Sequence, residues 1–390
     1  MKKGCVEMLF LSDEQLAFKK ELRDFTDAEI RPAAGELEKD GAFPRTLYTR
    51  LGSLGYLDAN FALGRAGAKH NVVDGVIIIE EISRGLASLG LNISPHVQCC
   101  DLVATAGSEA LRREVLQPAL RGEKLFAFAL SEESGGSDAL GIDTMAVRSG
   151  DNWIINGKKC WITNAGMADG YIVGAKSPAS GRSRSVSLFY VDKSAPGFSV
   201  CESDRMIGMH NSPTGSVLFD DCVIPADYLI GPENDAYPLI KTLLNVGRLN
   251  MAAGALGIAL AAMEASIAYT STIGRYGRSL SSYQAIAFMV ADMYTKITTA
   301  RNSLYHVASL FEAGKPVTTE VAALKLYATE MCCEVCKSAR QVHGANGLKA
   351  GSEVERCFRD AQLLTIAEGS SEICRIVVSN ALYRSKPGEY

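Results

Sequence analysis

Apolar positions recur through the first third of the chain with the spacing of helices. Ser12-Asp13-Glu14-Gln15 has the form of a capping box. Phe18, Leu22 and Phe25 follow at i, i+4 and i+7, which predicts an amphipathic helix to about Ile30, closed by Arg31-Pro32. Phe43-Pro44 opens a short helical segment ending near Gly52 or Gly55. A longer helix is expected over about Asn71 to Leu86, with Glu80-Glu81 along it, and residues 91–121 give two more around Gly107. At Leu125 the pattern changes. Phe126 to Leu130 reads as a short apolar strand, and further strands are expected at Val147 to Ile155, Tyr171 to Ala175, Val186 to Val191, Phe198 to Cys201 and Ser216 to Phe219. Asn156-Gly157 has the form of a hairpin turn. Short strands at this spacing predict a compact β-barrel or sandwich ending near Gly231. Helix returns near Pro238. One run covers Leu239 to Ile273 and is rich in Ala and Gly. The next, Gln284 to Phe311, carries an apolar stripe of Ile286, Met289, Met293, Ile297, Ala300, Leu304 and Val307, and a third covers Thr318 to about Val342. Long helices with short links form a bundle. The expected organisation is α+β: a helical domain over 1–125, a β-barrel over 126–235 and a helical bundle over 236–390.

Composition narrows the function without choosing it. The 390 residues are 47% hydrophobic and 22% charged, with a net charge of −4. That balance is globular and gives no reason to expect nucleic acid or an anionic membrane as partner. No apolar run in the sequence approaches the ~20 residues of a membrane span. Met1 to Met8 resembles a signal n-region, but Glu7 interrupts it and a helix signal begins at Ser12, so no secretory signal is expected. Eleven cysteines, some adjacent (Cys99-Cys100, Cys332-Cys333), have no framework spacing, which favours reduced thiols in a cytoplasmic protein. Cys332, Cys333 and Cys336 lack a second ligand pair, so no metal is expected.

Four stretches could carry chemistry. Phe128 to Asp138 is a strand running into a Ser-Gly-Gly-Ser-Asp turn, which suits either a plain loop or backbone N–H groups offered to a carbonyl or phosphate. Lys158 to Asn164 contains Trp161, one of two tryptophans, suited either to a β-domain core or to stacking on a planar cofactor. Gln341 to Leu348 ends a helix with two glycines, either as a simple cap or to allow close approach. Arg359 to Ile373 places Glu368 on a turn after an apolar helical run, with Ser371 as a candidate N-cap of the next helix. There Glu368 is either a solvated loop residue, as a lone Glu usually is, or a carboxylate in an apolar pocket, whose raised pKa suits a general base. There is no Ser-His-Asp arrangement, Walker loop or strand-bound Gly-x-Gly-x-x-Gly.

Taken together, these stretches resemble the acyl-CoA dehydrogenase family over nearly the whole chain. The pattern Thr-Glu-Pro-x-x-Gly-Ser-Asp is similar to Ser131 to Asp138, and Trp-Ile-Thr-Asn is intact at Trp161 to Asn164. Gly208 to Thr214 with Phe219 to Pro225, Gln341 to Gly347, and the Glu368 stretch follow in the family's order. The resemblance implies an N-terminal helical domain, a middle β-barrel and a C-terminal four-helix bundle, with FAD held between barrel and bundle and completed by a second subunit of a homodimer or homotetramer. It implies α,β-dehydrogenation of an acyl thioester, carried by CoA or by an acyl carrier protein, with electrons passing to an electron-transferring flavoprotein. It places the base at Glu368 and a carbonyl-polarising N–H at Gly369. It places Phe128, Leu130, Ser131, Gly136, Ser137, Trp161 and Thr163 at the flavin, with Ser137 also toward the thioester arm. Gln341, Gly344, Ser370 and Glu372 fall at the nucleotide part of FAD, and Asn245 and Arg248 near the acyl carrier arm and the base.

Departures from the pattern mark an outlying member. Ile273 takes the position of the family's pyrophosphate-binding Arg, and Arg275, two residues on, can replace it only if the local backbone differs. Ser131 and Glu133 stand for Thr and Pro, His210 stands for Arg, and Ala367 stands for the Tyr often found before the base. A Pro-Glu-Glu-Tyr-Gly-Gly turn is missing around Leu57 to Gly67. The family's alternative base position is Gly247, which has no side chain to serve. These departures point to an unusual or carrier-bound acyl group. An oxidase passing electrons to oxygen, and a non-catalytic thioester-binding protein, are the alternatives on the same fold.

Overall fold

The computed structural model describes residues 11–59, 68–177 and 185–384. The stretch Met1 to Met8 and most of the 57–67 departure lie outside the described residues.

The helical spacing of the first third is realised, with one extension. In α1 (Asp13–Phe25) the Ser12 hydroxyl accepts from the Gln15 backbone, and the Gln15 side chain accepts from the Ser12 N–H, as the capping box requires. The expected stop at Arg31-Pro32 does not occur. A π turn (Thr26–Ile30) leads directly into α2 (Arg31–Asp40), and this wider turn accommodates the missing N–H of Pro32. Next come α3 (Arg45–Leu54), α4 (Val72–Gly85) and α5 (Ala87–Ala106). A broken run closes this part: α6 (Glu109–Leu111), a π turn (Arg112–Leu116) and α7 (Gln117–Leu120).

Helix α4 is buried along its length, including Glu80 and Glu81. Buried carboxylates need partners. Lys19 of α1 lies 2.7 Å from Glu80 and 2.8 Å from Glu81. Arg23 and Arg84 reach Glu81 at 3.0 and 3.2 Å. The Tyr305 hydroxyl donates to Glu80. Burial pushes the Glu81 carboxyl up, but the Lys19 and Arg23 charges outweigh it and hold the pKa down at about 2. This network ties the N-terminal helices to the bundle.

The β-domain contains β1 (Phe126–Ala129), β2 (Met145–Ser149), β3 (Asn152–Thr163), β4 (Gly170–Ala175), β5 (Ser187–Asp192), β6 (Phe198–Ser203), β7 (Thr214–Pro225) and β8 (Leu229–Ile230). They form two four-stranded sheets, ordered β1-β4-β5-β8 and β2-β3-β7-β6. Alternation explains the fully buried β4 and β5. Tyr171, Val173, Phe189 and Val191 face the other sheet, whereas Ile172, Leu188 and Tyr190 face the helices. Trp153 meets Phe189 edge-on at 5.1 Å in the inter-sheet core. The strand expected over Val147 to Ile155 is in fact two, with Ser149 opposite Asn152. Asn156-Gly157 is not a turn. Gly157 sits at a register shift inside β3, where a Cβ would come within 2.8 Å of the Thr144 backbone. The Asn156 side chain instead pairs with β7, donating to the Asp221 carboxylate at 2.9 Å and accepting from its N–H at 2.8 Å.

The bundle is α8 (Tyr237–Thr272), α9 (Gln284–Glu312), α10 (Thr318–Val342), α11 (Glu353–Leu364) and α12 (Ser371–Arg384), with a small ribbon of β9 (Gly274–Arg275) and β10 (Arg278–Ser279) after α8. Helix α8 is long and apolar enough to cross a membrane, with a mean hydropathy of 1.6. It is a core helix instead, surrounded by α4, α5, α9, α10 and α11.

Lys19→Met would leave two buried carboxylates short of a cation. It is expected to cost about 3–5 kcal/mol of stability, read as a lowered thermal unfolding midpoint. An unchanged midpoint would show that the network does not hold the helical domain to the bundle.

Candidate functional site

Glu368 lies on the turn between α11 and α12. Its φ of 55° is left-handed, and Gly369 follows at 91°. A non-glycine residue in this region costs about 1–3 kcal/mol and persists only where its surroundings fix it. Here they do. Ser371 N–H donates to Thr365 O at 2.9 Å and Ala367 N–H to Leu363 O at 3.1 Å. The Ser371 hydroxyl donates to Glu330 at 2.8 Å. The expected cap is shifted by one residue: Ser370, not Ser371, accepts from Ile373 N–H at 3.4 Å, and Ser371 is the first residue of α12. From α10, the buried Lys325 donates to Gly369 O at 2.8 Å.

The turn seats the carboxylate on α8. A Cβ on Gly247 would lie 2.1 Å from Glu368 Oε2, so only glycine admits the carboxylate there. Glu368 is half-buried by surface, yet densely surrounded by protein. That desolvation raises its pKa to about 7, against the opposing charges of Arg248 and Lys325. Burial lowers the Lys325 pKa. Arg248 is buried, donates weakly to Asn245 Oδ1 at 3.4 Å, and has an unpartnered Nε. Asn245 donates to Thr318 at 3.0 Å. Glu368, Gly369, Asn245 and Arg248, anticipated as neighbours, therefore come together, as does Ser370. Glu372 is exposed on α12.

On the β-domain, a register shift between Lys159 and Ile162 gives Trp161 a φ of 57° and turns its indole outward, 52% exposed. The buried Lys159 donates to Leu130 O at 3.0 Å and pairs with Glu132 at 2.7 Å. Its pKa is lowered to about 8 by burial, opposed by Glu132. Cys160 N–H donates to Ser131 O at 2.9 Å. These contacts fix the start of the 131–138 loop, whose Gly136 and Ser137 are open to solvent, beside the Trp161 segment. Leu130 is buried, Phe128, Ser131 and Thr163 are half-buried, and Asn164 clamps the segment to α5 by donating to Asn92 O at 3.0 Å. An uncovered indole beside a loop of small residues and hydroxyls suits a flavin.

Arg275, Gln341 and Gly344 are exposed. Gln341 stands at the far end of α10, about 24 Å from Lys325 at 1.5 Å per residue. Arg275 folds onto its own Gly274 carbonyl at 3.0 Å. One chain does not bring these three to Glu368. Sequence reasoning missed Lys159 and Lys325, the latter a cation set among the apolar positions of α10.

Three family profiles cover the chain: "Acyl-CoA dehydrogenase, N-terminal domain" at residues 12–123, "middle domain" at 127–222 and "C-terminal domain" at 237–383. A short-chain specific acyl-CoA dehydrogenase of Clostridium acetobutylicum is 34% identical over 96% of this chain and 99% of its own. The chain belongs to the acyl-CoA dehydrogenase family. The caffeyl-CoA reductase-Etf complex subunit CarC of Acetobacterium woodii is 33% identical over 96% of this chain and 100% of its own. The solved butyryl-CoA dehydrogenase of Megasphaera elsdenii superposes with a TM-score of 0.90 at 32% identity, covering 96% of this chain and 99% of that one. This acyl-CoA dehydrogenase is thus a FAD-dependent oxidoreductase that dehydrogenates acyl thioesters.

Lys325→Met removes a cation that lowers the Glu368 pKa. The carboxyl is expected to titrate above 7, measured from the pH dependence of its infrared C=O band. A midpoint unchanged or lowered would show that Lys325 does not influence it.

Proposed function

We propose that Glu368 is the base that removes the α-proton of the acyl thioester. The observation that carries this is the carboxylate seated against Gly247 and enclosed by protein, where desolvation raises its pKa to about 7. A base of that pKa is largely ionised just above neutral pH and still accepts a proton from a weak carbon acid. Arg248 and Lys325 offset part of the burial penalty, and the Gly369 backbone orients the thioester carbonyl. FAD, when bound, would supply the two-electron acceptor for the hydride of the β-carbon. Leu130, Ser131, Gly136, Ser137, Trp161 and Thr163 hold the flavin, with Phe128 supporting the loop from β1.

Arg275, Gln341 and Gly344 serve the nucleotide part of FAD across a homodimer or homotetramer, with Ser370 and Glu372 on the Glu368 side. Their separation from Glu368 within one chain supports this assignment. So does the exposed apolar surface at Phe288 and Tyr294 of α9. The substrate is an acyl-CoA or an acyl-carrier thioester. The likeness to a subunit of an Etf complex supports an electron-transferring flavoprotein as acceptor. Ten free cysteines among the described residues support a reducing, cytoplasmic setting. The three matched stretches support the 1–125, 126–235 and 236–390 division into domains.

Glu368→Gln is expected to retain FAD and bind thioester but lose anaerobic flavin bleaching. Bleaching that survives would place the base elsewhere. The same variant gives a stability test. Because the folded pKa, about 7, exceeds the ordinary 4.5, ionising Glu368 costs folding free energy as pH rises from 4.5 through 7. At pH 8 the Gln variant should be the more stable, by up to about 3 kcal/mol. At pH 4 the difference should vanish.

A further inference from the structure

The contacts between α5 and α8 run antiparallel, and they define which residues lie level with Glu368. A Cβ on Gly254 would meet Leu91 at 2.8 Å. Asn250 donates to Ser94 Oγ at 3.0 Å. Gly247 holds the Glu368 carboxylate. The same register continued by one helical turn brings Gln98 level with Gly247. The neighbouring Cys99 thiol agrees: burial raises its pKa most, then Cys100, and then the charge of Glu368.

The seam beside the Gly247 seat is polar, whereas the surroundings of a simple alkyl chain are apolar. Gln98, Ser94 and Asn250 are all buried. They share two hydrogen bonds, Gln98 Nε2 to Ser94 Oγ at 3.1 Å and the Asn250 bond above. Gln98 Oε1 and Asn250 Oδ1 are buried without a partner. Exchanging the oxygen and nitrogen of either amide only changes which end is unpaired. A buried amide end without a partner is costly, so these positions complement something that donates or accepts there. The three side chains are uncharged and suit a neutral group; the cations nearby, Arg248 and Lys325, already act on the Glu368 carboxylate.

We propose that Gln98 and Asn250 read a neutral O–H or N–H donor on the acyl group, so that the substrate is an acyl thioester hydroxylated, or bearing an N–H, beyond its β-carbon. This rests on Glu368 as the base, because Asn250 lies three residues, about 4.5 Å of helix rise, beyond Gly247 on α8, and Gln98 is level with that glycine on α5. A hydroxyl at the γ- or δ-carbon donates to one of the orphaned amide oxygens. A methyl group in its place leaves them unpaired, which sites of this kind reject strongly.

The test uses the FAD-loaded, full-length enzyme in anaerobic flavin bleaching. γ-Hydroxybutyryl-CoA is compared with its methyl isostere pentanoyl-CoA, and δ-hydroxypentanoyl-CoA with hexanoyl-CoA. At least one hydroxylated substrate is expected to exceed its isostere in kcat/KM by about tenfold or more. Asn250→Leu and Gln98→Leu should each collapse or invert that ratio. The wild-type ratio alone decides the matter if a variant fails to fold. Alkyl substrates equal to or better than hydroxylated ones would overturn the proposal and assign the amides to a fixed water. If no thioester of either kind bleached the flavin, the assignment of Glu368 would fail first, and this proposal with it.

Discussion

A left-handed glutamate pressed against a glycine is the contact on which the rest of the site depends. Glu368 reaches α8 only because its own φ and that of Gly369 are positive, and only because Gly247 has no side chain. Both conditions are unfavourable alone. The strain of the turn is offset by its hydrogen bonds, by the Ser370 cap and by Lys325, whose buried ammonium is bound to Gly369 O. Burial then does chemical work, because the same enclosure that fixes the carboxylate also raises its pKa.

The surrounding architecture fixes α8, α5, α11 and the β-domain relative to one another. Helix α8 carries Gly247 and Arg248 and is covered by α4 and α5. The β-domain is clamped to α5 through Asn164 and Asn92, and to α11 through the bond from Met209 N–H to Asp360 at 2.6 Å. Asp360 is itself raised to about 6 by burial, so this joint between domains also depends on a desolvated carboxylate. The Lys19–Glu80–Glu81 network joins α1 and α4 to the bundle in the same way, through Tyr305 of α9.

Much of this was legible in the sequence, for physical reasons. The period of apolar residues reports on which side of an element is buried, and it located the long helices to within a few residues. It failed where one local signal had two structural uses. Arg31-Pro32 usually stops a helix, and here a π turn accommodates it. Asn156-Gly157 usually turns a hairpin, and here the glycine relieves a clash with Thr144 while the asparagine pairs across to β7. The turn that carries Glu368 was readable because its helix, glycine and serines are contiguous, but the stretch alone equally fits a solvated loop, and the choice of Glu368 rested on the resemblance carried by the other motifs. Lys325 was not, because a lysine on a helix ordinarily reads as a solvated side chain, and the carbonyl that justifies its burial lies 44 residues further along the chain. Arg275 shows the limit from the other side: a residue selected by motif remains, in one chain, exposed and bound to its own neighbour.

The central claim is that the carboxylate seated on Gly247 moves the α-proton. Exchange of substrate α-hydrogens with deuterated water, with the flavin held reduced so that hydride transfer is blocked, isolates that step. The exchange rate should rise with pH through about 7 and level off above it, and Gly247→Ala, which displaces the carboxylate, should slow it by about a hundredfold. A rate with no break near 7, or one unchanged in Gly247→Ala, would contradict the account.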